Sequence, residues 1–165
     1  MLVVRHALAL DRADAEEQRV PDSQRPLTDE GRRRMKRVAR GLSSWVPELG
    51  ALLTSPWLRA RETAALLIER YRGLVCRETD ALLPEAEPQA LAQVLREHEQ
   101  QGPVAVVGHE PHLGQWVGWC LTGEQRSPIA LRKGGACLLH FDGAVAAGAG
   151  RLHWLVTPAL ARRLG

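Results

Sequence analysis

Apolar residues recur along this chain with two periods. Short continuous runs at Leu2-Val3-Val4, Ala51-Leu52-Leu53 and Val104-Ala105-Val106-Val107 are each cut off by polar or turn-forming residues. That is the pattern of strands covered on both faces. The clearest is "PVAVVGH", which ends in Gly108 and His109; "LVCRET" is a weaker candidate. Helical spacing takes over between them. Met35, Val38, Ala39, Leu42, Trp45 and Val46 fall on one stripe, and Thr28 is positioned as its N-cap. Ser55 followed by Pro56 signals another helix start, with Ala60, Ala64, Leu67 and Tyr71 on its inner face. Leu91, Val94, Leu95 and His98 mark a third helix. Leu113, Trp116, Val117, Cys120 and Leu121 mark a fourth, opened by Pro111. Two late strands, "ACLLHF" and "RLHWLVT", flank a Gly/Ala-rich hairpin tip.

Strands alternating with helices predict an α/β three-layer sandwich. The central sheet is mostly parallel, with an antiparallel element near the C-terminus. No linker or repeat interrupts the 165 residues, so 1–165 reads as one domain. Residues 7–27 are the exception to the regular pattern. They form a long polar loop with room for a helical turn, and loops of that length in compact domains tend to be functional.

Composition narrows the setting. No apolar run reaches the roughly 18 residues of a membrane span, and Arg5 and His6 interrupt the first apolar run where a signal peptide would continue. The expectation is a cytoplasmic protein with no membrane partner. Cys76, Cys120 and Cys137 lack paired spacing and are expected to be reduced. Net charge is +3, with one dense basic run, "GRRRMKRVAR". This run reads as the solvated face of an amphipathic helix. With Trp45 as its one aromatic neighbour, it gives base stacking little support, so nucleic acid is not the expected partner.

The candidate chemistry sits where strands end, because open α/β sheets gather ligands at their carboxyl edge. The first strand ends in Arg5-His6; the second is followed by "SPWLRARET", with Arg59 in the first helical turn; the fourth ends in Gly108-His109. Two histidines and two arginines would converge beside helix N-termini, which favour anions. Arginine's planar fork matches phosphate oxygens. Gly108 is expected to let the chain approach a ligand closely. Any one of these residues alone reads as ordinary surface polarity; the joint pattern points at a phosphoryl group. No Walker-type lysine loop, carboxylate cluster or zinc-ligand spacing is present. His112 is a candidate for the rim, and His98, His140 and His153 read as structural.

"VVRHA", "SPWLRARETA" and "VVGHEPHL", in this order, resemble the histidine phosphatase superfamily, the phosphoglycerate-mutase-like group. The short chain, "RHA", "RPLTDEG" and "VGHEP" look most like its SixA-type phosphohistidine phosphatases. The resemblance implies a phosphoglycerate-mutase-like fold. It implies His6 as a transiently phosphorylated nucleophile, Arg5 and Arg59 as phosphate clamps, and His109 as a phosphoryl hydrogen-bonding partner. It implies no metal or other cofactor. Arg25 is a further candidate phosphate or rim cation, with a structural ion pair as its alternative. Ser55 reads as a helix cap that can also touch phosphate.

Relatives acting on phosphate esters carry an acid that protonates the leaving oxygen. Here the corresponding region, "ETDALLPEAEPQAL", offers Glu78, Asp80, Glu85 and Glu87 by location alone, and Glu85 is the leading candidate. Its absence costs least for phosphohistidine, whose imidazole leaves with a conjugate-acid pKa of about 6.5. The expectation is a phosphatase acting on phosphohistidine in a signalling protein, such as a histidine phosphotransfer domain. The alternatives are a phosphomonoesterase for a small phosphorylated metabolite, or a noncatalytic phosphoprotein- or nucleic-acid-binding module using the basic helix.

Overall fold

The structure is a computed structural model and describes residues 1–71, 73–98 and 101–163. Its strands are β1 (Leu2–Arg5), β2 (Ala51–Thr54), β3 (Cys76–Glu78), β4 (Val104–Gly108), β5 (Ala136–Phe141) and β6 (Gly150–Val156). They form one sheet in the order β3-β2-β4-β1-β5-β6. The β3–β2, β2–β4 and β4–β1 pairs are parallel, and β5 and β6 close the sheet antiparallel, as the pattern predicts. Its helices are α1 (Arg12–Glu17), α2 (Asp29–Trp45), α3 (Leu58–Ile68), α4 (Pro88–Arg96), α5 (His112–Thr122) and α6 (Pro158–Ala161).

Alternation within the apolar runs builds the three layers. Leu2, Val4, Leu52, Ala105 and Val107 pack with Met35, Val38 and Leu42 of α2 and Leu67 of α3. Val3, Leu53 and Val106 face the other way, onto Leu91 of α4 and Leu113, Trp116 and Cys120 of α5. Each fully buried Leu or Val contributes about 1.5–3 kcal/mol, so both faces of these strands stabilise the sheet. Cys120 and Cys137 belong to this core and Cys76 is half-buried; all three are free thiols.

Several boundaries differ from expectation. The loop after β1 contains α1, capped by Asp11, and a single 3-10 turn over Asp22–Gln24. It is pinned to α2: Thr28 N donates to Leu8 O (3.0 Å), and Thr28 Oγ1 caps the helix by accepting from Gly31 N (2.9 Å). Gly31 must be glycine here, because a Cβ would lie 2.0 Å from Leu8 O. Helix α3 starts at Leu58 with Trp57 as its N-cap, two residues later than Ser55-Pro56 suggests. It stops at Ile68, yet Tyr71 stays buried by donating its hydroxyl to Val46 O (2.8 Å). Pro111 is the N-cap of α5 rather than its first residue. The short α6, which packs on α2, carries too few residues to show a period.

The basic stripe on α2 is partly neutralised: Arg32 pairs with Glu62, Arg34 with Glu30 and Lys36 with Glu69. Trp45 rests edge-on against Trp154, with 5.3 Å between ring centroids.

Candidate active site

Parallel pairing brings three strand ends level. Arg5 lies opposite Gly108, and Thr54 opposite Val107. The register continues one residue further, where His6 N donates to Gly108 O and Ser55 N to Val107 O, both at 3.0 Å. His6, Ser55 and His109 thus leave the sheet side by side. Helix α3 then supplies Arg59 from its first turn.

His6 is 5% exposed and doubly restrained. Its Nδ1 lies 2.7 Å from Ala7 O, a group that only accepts, so Nδ1 carries the proton. Its Nε2 accepts from Arg59 Nε at 3.3 Å, so Nε2 carries the lone pair. Both partners independently demand the same neutral tautomer. Burial pulls the His6 pKa down to about 3; Arg59, Arg5 and Lys133 add to this, while the Ala7 carbonyl opposes it. At neutral pH the site therefore presents an uncharged imidazole with its free nitrogen against a guanidinium. Thr63 locks the arrangement from below: it accepts from Ala7 N (3.0 Å) and donates to Arg59 O (2.7 Å).

Arg59 is 3% exposed and lies over the Trp57 ring, 4.5 Å from its centroid. Its Nη1 donates to Asp22 O (2.6 Å) and its Nη2 to Asp22 Oδ2 (3.3 Å). Burial lowers its pKa to about 10, partly offset by Asp22, so it stays charged. Arg25 does not reach His6. It donates to Asp22 Oδ1 (2.7 Å) and Leu10 O (2.6 Å), the structural ion pair that was its alternative, and acts on the site through Asp22. Although burial works against its charge, Arg25, Arg59 and Arg12 hold the Asp22 carboxyl below its ordinary range.

His109 is 1% exposed, with its ring centroid 5.2 Å from that of His6 and 5.0 Å from that of Trp57. Its Nε2 meets Ser55 Oγ at 2.8 Å, and that oxygen also accepts from Trp57 N at 3.3 Å. Ser55 therefore orients His109 and steadies the turn into α3, whose N-cap is Trp57. Burial, followed by His6 and Arg59, lowers the His109 pKa to about 2. Arg5 donates Nη1 to Leu131 O (2.7 Å), while its Nε and His109 Nδ1 are buried with no partner among the described residues. Glu110 braces the same corner by accepting from Leu131 N (2.8 Å) and Gly114 N (3.2 Å). A Cβ at Gly108 would lie 3.2 Å from Leu113 Cδ2, so glycine also eases packing against α5 there.

The candidate acid is not assembled. Glu85 is exposed in the turn before α4, with no hydrogen bond or ion pair among the described residues. Glu78 pairs with Arg61, and Glu87 accepts from Gln125. His112 is fully buried rather than at the rim. Conversely, Asp22 and Thr63 belong to the site and were not anticipated. Thr63 lies one turn beyond Arg59, a spacing that could have been read; Asp22 is carried by loop geometry. Cavity size is no guide here. A cavity of about 510 Å³ lies at the opposite end of the sheet, lined by Met1, Leu95, Pro103, Val104, His140 and Phe141. It has a single imidazole and no guanidinium.

Comparison with known proteins agrees with this geometry. Residues 1–87 match the sequence profile of the histidine phosphatase superfamily (branch 1). An uncharacterized protein of Picosynechococcus sp. is 35% identical over 133 residues, covering 79% of this chain and 78% of that protein. The structure of the protein histidine phosphatase SixA complexed with tungstate superposes with a TM-score of 0.80 at 25% identity, over 97% of this chain and 99% of that one. The alpha-ribazole phosphatase from Shigella flexneri shares the fold, with a TM-score of 0.72 at 15% identity over 95% and 96% of the two chains. A buried neutral imidazole facing a guanidinium at the carboxyl edge of the sheet, in a chain matching this profile over more than half its length, places the protein in the histidine phosphatase superfamily (branch 1), as a phosphatase.

Proposed function

We propose that this protein is a phosphohistidine phosphatase that works through a phosphorylated His6. The observation that carries the reading is the fixed tautomer: Nδ1–H on Ala7 O and the Nε2 lone pair beside Arg59. In the first step Nε2 attacks phosphorus. The P–N bond of the substrate breaks, and its electron pair leaves with the substrate imidazole, which departs neutral once its other nitrogen is protonated. In the second step a water oxygen attacks phosphorus and the P–Nε2 electron pair returns to His6. The water proton passes to solvent and inorganic phosphate leaves. Arg5, Arg59 and His109 hold the equatorial oxygens, and positioned charge of this kind supplies most of the rate in phosphoryl transfer. Arg5 Nε and His109 Nδ1, which have no partner among the described residues, support this, because buried polar nitrogens call for one.

The substrate assignment rests on leaving-group chemistry. An ester needs a proton at its departing oxygen. The carboxylate touching the site, Asp22, is held ionised by arginines, and Glu85 points into no contact with it. An imidazole takes its proton on the other nitrogen from solvent before the P–N bond breaks, so it needs no donor in the site. The SixA structure was obtained with tungstate, a phosphate-like oxyanion, which fits the same kind of site.

The test compares hydrolysis of phosphohistidine and a phosphohistidine protein with a panel of sugar phosphates and nucleotides, and looks for acid-labile phosphate on His6. Turnover of phosphohistidine with label at His6 is expected. Strong ester turnover that is abolished in Glu85→Gln would overturn the substrate assignment in favour of a metabolite phosphomonoesterase.

A further inference from the structure

A small hollow opens beside the His6 backbone. Its volume is about 100 Å³, and its walls include Ala7, Leu8, Gly31, Arg34, Lys133 and Arg162. No carboxylate lines it. Lys133 is exposed, and it is held in register with the site because the next residue, Gly134, donates its N–H to both Arg5 O (3.2 Å) and His6 O (3.0 Å). Lys133 is also close enough to His6 to disfavour its protonated form. Arg34 shares its charge with Glu30, but neither Lys133 nor Arg162 makes an ion pair among the described residues. The basic character continues along α2 through Arg33 and Arg37, which are exposed and likewise make no ion pair among the described residues.

We infer that this corner is a subsite for a carboxylate side chain presented by the phosphoprotein substrate next to its phosphohistidine. The inference rests on the phosphohistidine reading above and adds a feature of the substrate that it recognises. Three observations carry it. Lys133 is fixed relative to the nucleophile through the Gly134 contacts with Arg5 O and His6 O, and Arg162 lines the same hollow, so an acidic residue at a set distance from the phosphohistidine meets them. The hollow lies well below the roughly 300–1,000 Å³ of small-molecule pockets, which suits one side-chain head group. The strip then runs on along α2 past the reach of a small metabolite, as a protein surface requires. Such a contact is favourable because the exposed Lys133 and half-buried Arg162 lose little hydration on meeting a carboxylate, and their long-range field speeds encounter.

The test uses the full chain and its Lys133→Ala/Arg162→Ala double variant, first checked for unchanged thermal unfolding. Each is given three substrates: a phosphohistidine peptide flanked by Asp and Glu, one flanked by Ser and Gly, and free phosphohistidine. The wild-type protein should prefer the acidic peptide in kcat/KM by about tenfold at low salt, with the preference shrinking toward parity as ionic strength rises. In the double variant the preference should disappear while turnover of free phosphohistidine stays within about twofold. Equal use of both peptides by the wild type would overturn the inference and leave the phosphohistidine reading standing. An equal loss on all three substrates would overturn it too, by placing the cations in the phosphoryl site. Turnover of sugar bisphosphates but of no phosphohistidine compound would sink both readings together.

Discussion

Two pairs of histidines lie at nearly the same separation in this protein. The ring centroids of His6 and His109 are 5.2 Å apart, and those of His140 and His153 are 5.1 Å apart. Spacing does not distinguish them; surroundings do. His6 and His109 come off adjacent parallel strands, are almost fully buried, and are each tied to a neighbour: Ala7 O and Arg59 for one, Ser55 for the other. His140 and His153 face solvent from the antiparallel β5–β6 pair, with Asp142 alongside His140. The first pair has its charge state and tautomer imposed. The second is exposed, and its rings, besides stacking on each other, have the contact of His140 with Asp142. Two imidazoles in contact make a site only when the scaffold decides which nitrogen is free.

Removing a member of each pair gives the largest contrast. His6→Ala should lower turnover by on the order of 10⁴-fold or more and eliminate acid-labile label, since it removes the proposed nucleophile. His140→Ala and His153→Ala should leave both unchanged. Single-turnover assays with the phosphoryl donor decide it, and persistent label in His6→Ala would move the nucleophile elsewhere.

Much of that contrast was legible in the sequence. The buried pair follows strand-like apolar runs that end in a parallel edge, and Arg59 has a fixed place in a helix start. The boundaries were harder. Ser55-Pro56 carries every mark of a helix start, but the serine is drawn away to His109 and Trp57 takes over as cap. Asp22 escaped notice for a physical reason: it belongs to no periodic element, and its meeting with Arg59, 37 residues away, is set by the path of the loop pinned at Leu8 and Thr28. Thr63 was hidden more shallowly, one turn from Arg59. The order of importance follows the physics: strand ends are read from pattern, whereas loop residues are placed by tertiary contacts.

The buried pair should also make the fold sensitive to acid. An unfolded histidine takes up a proton near pH 6.5, whereas burial keeps His6 neutral down to about 3, His109 to about 2 and the nearby His112 to about 4. Between those limits the unfolded chain binds more protons, so stability is lost as pH falls below about 6.5. At pH 5 each of these histidines costs about 2 kcal/mol relative to high pH. Urea unfolding at pH 7 and pH 5 should show an average slope of about two protons per pH unit, steepening toward three near pH 5. A stability independent of pH over this range would mean that the buried rings titrate normally.

The smallest effect concerns what keeps the buried pair apart from its ligand. Asp22 occupies both Nη groups of Arg59, so an incoming phosphoryl oxygen meets a carboxylate already seated on the clamp. Asp22→Asn removes the charge that opposes the phosphoryl group; its one amide oxygen can serve Arg25 while Arg59 keeps the Asp22 backbone carbonyl. Inorganic phosphate and tungstate should then inhibit about three- to tenfold more tightly, a change of up to about 1.4 kcal/mol. The gain should appear in KM and inhibition constants, with kcat changed less. Weaker binding would mean the reverse balance: that the full charge of Asp22 is needed to hold Arg59 against His6 Nε2, and that this alignment outweighs the repulsion it brings. Either sign separates the two roles of one carboxylate, because repulsion acts on the ligand alone whereas alignment acts through the His6–Arg59 contact.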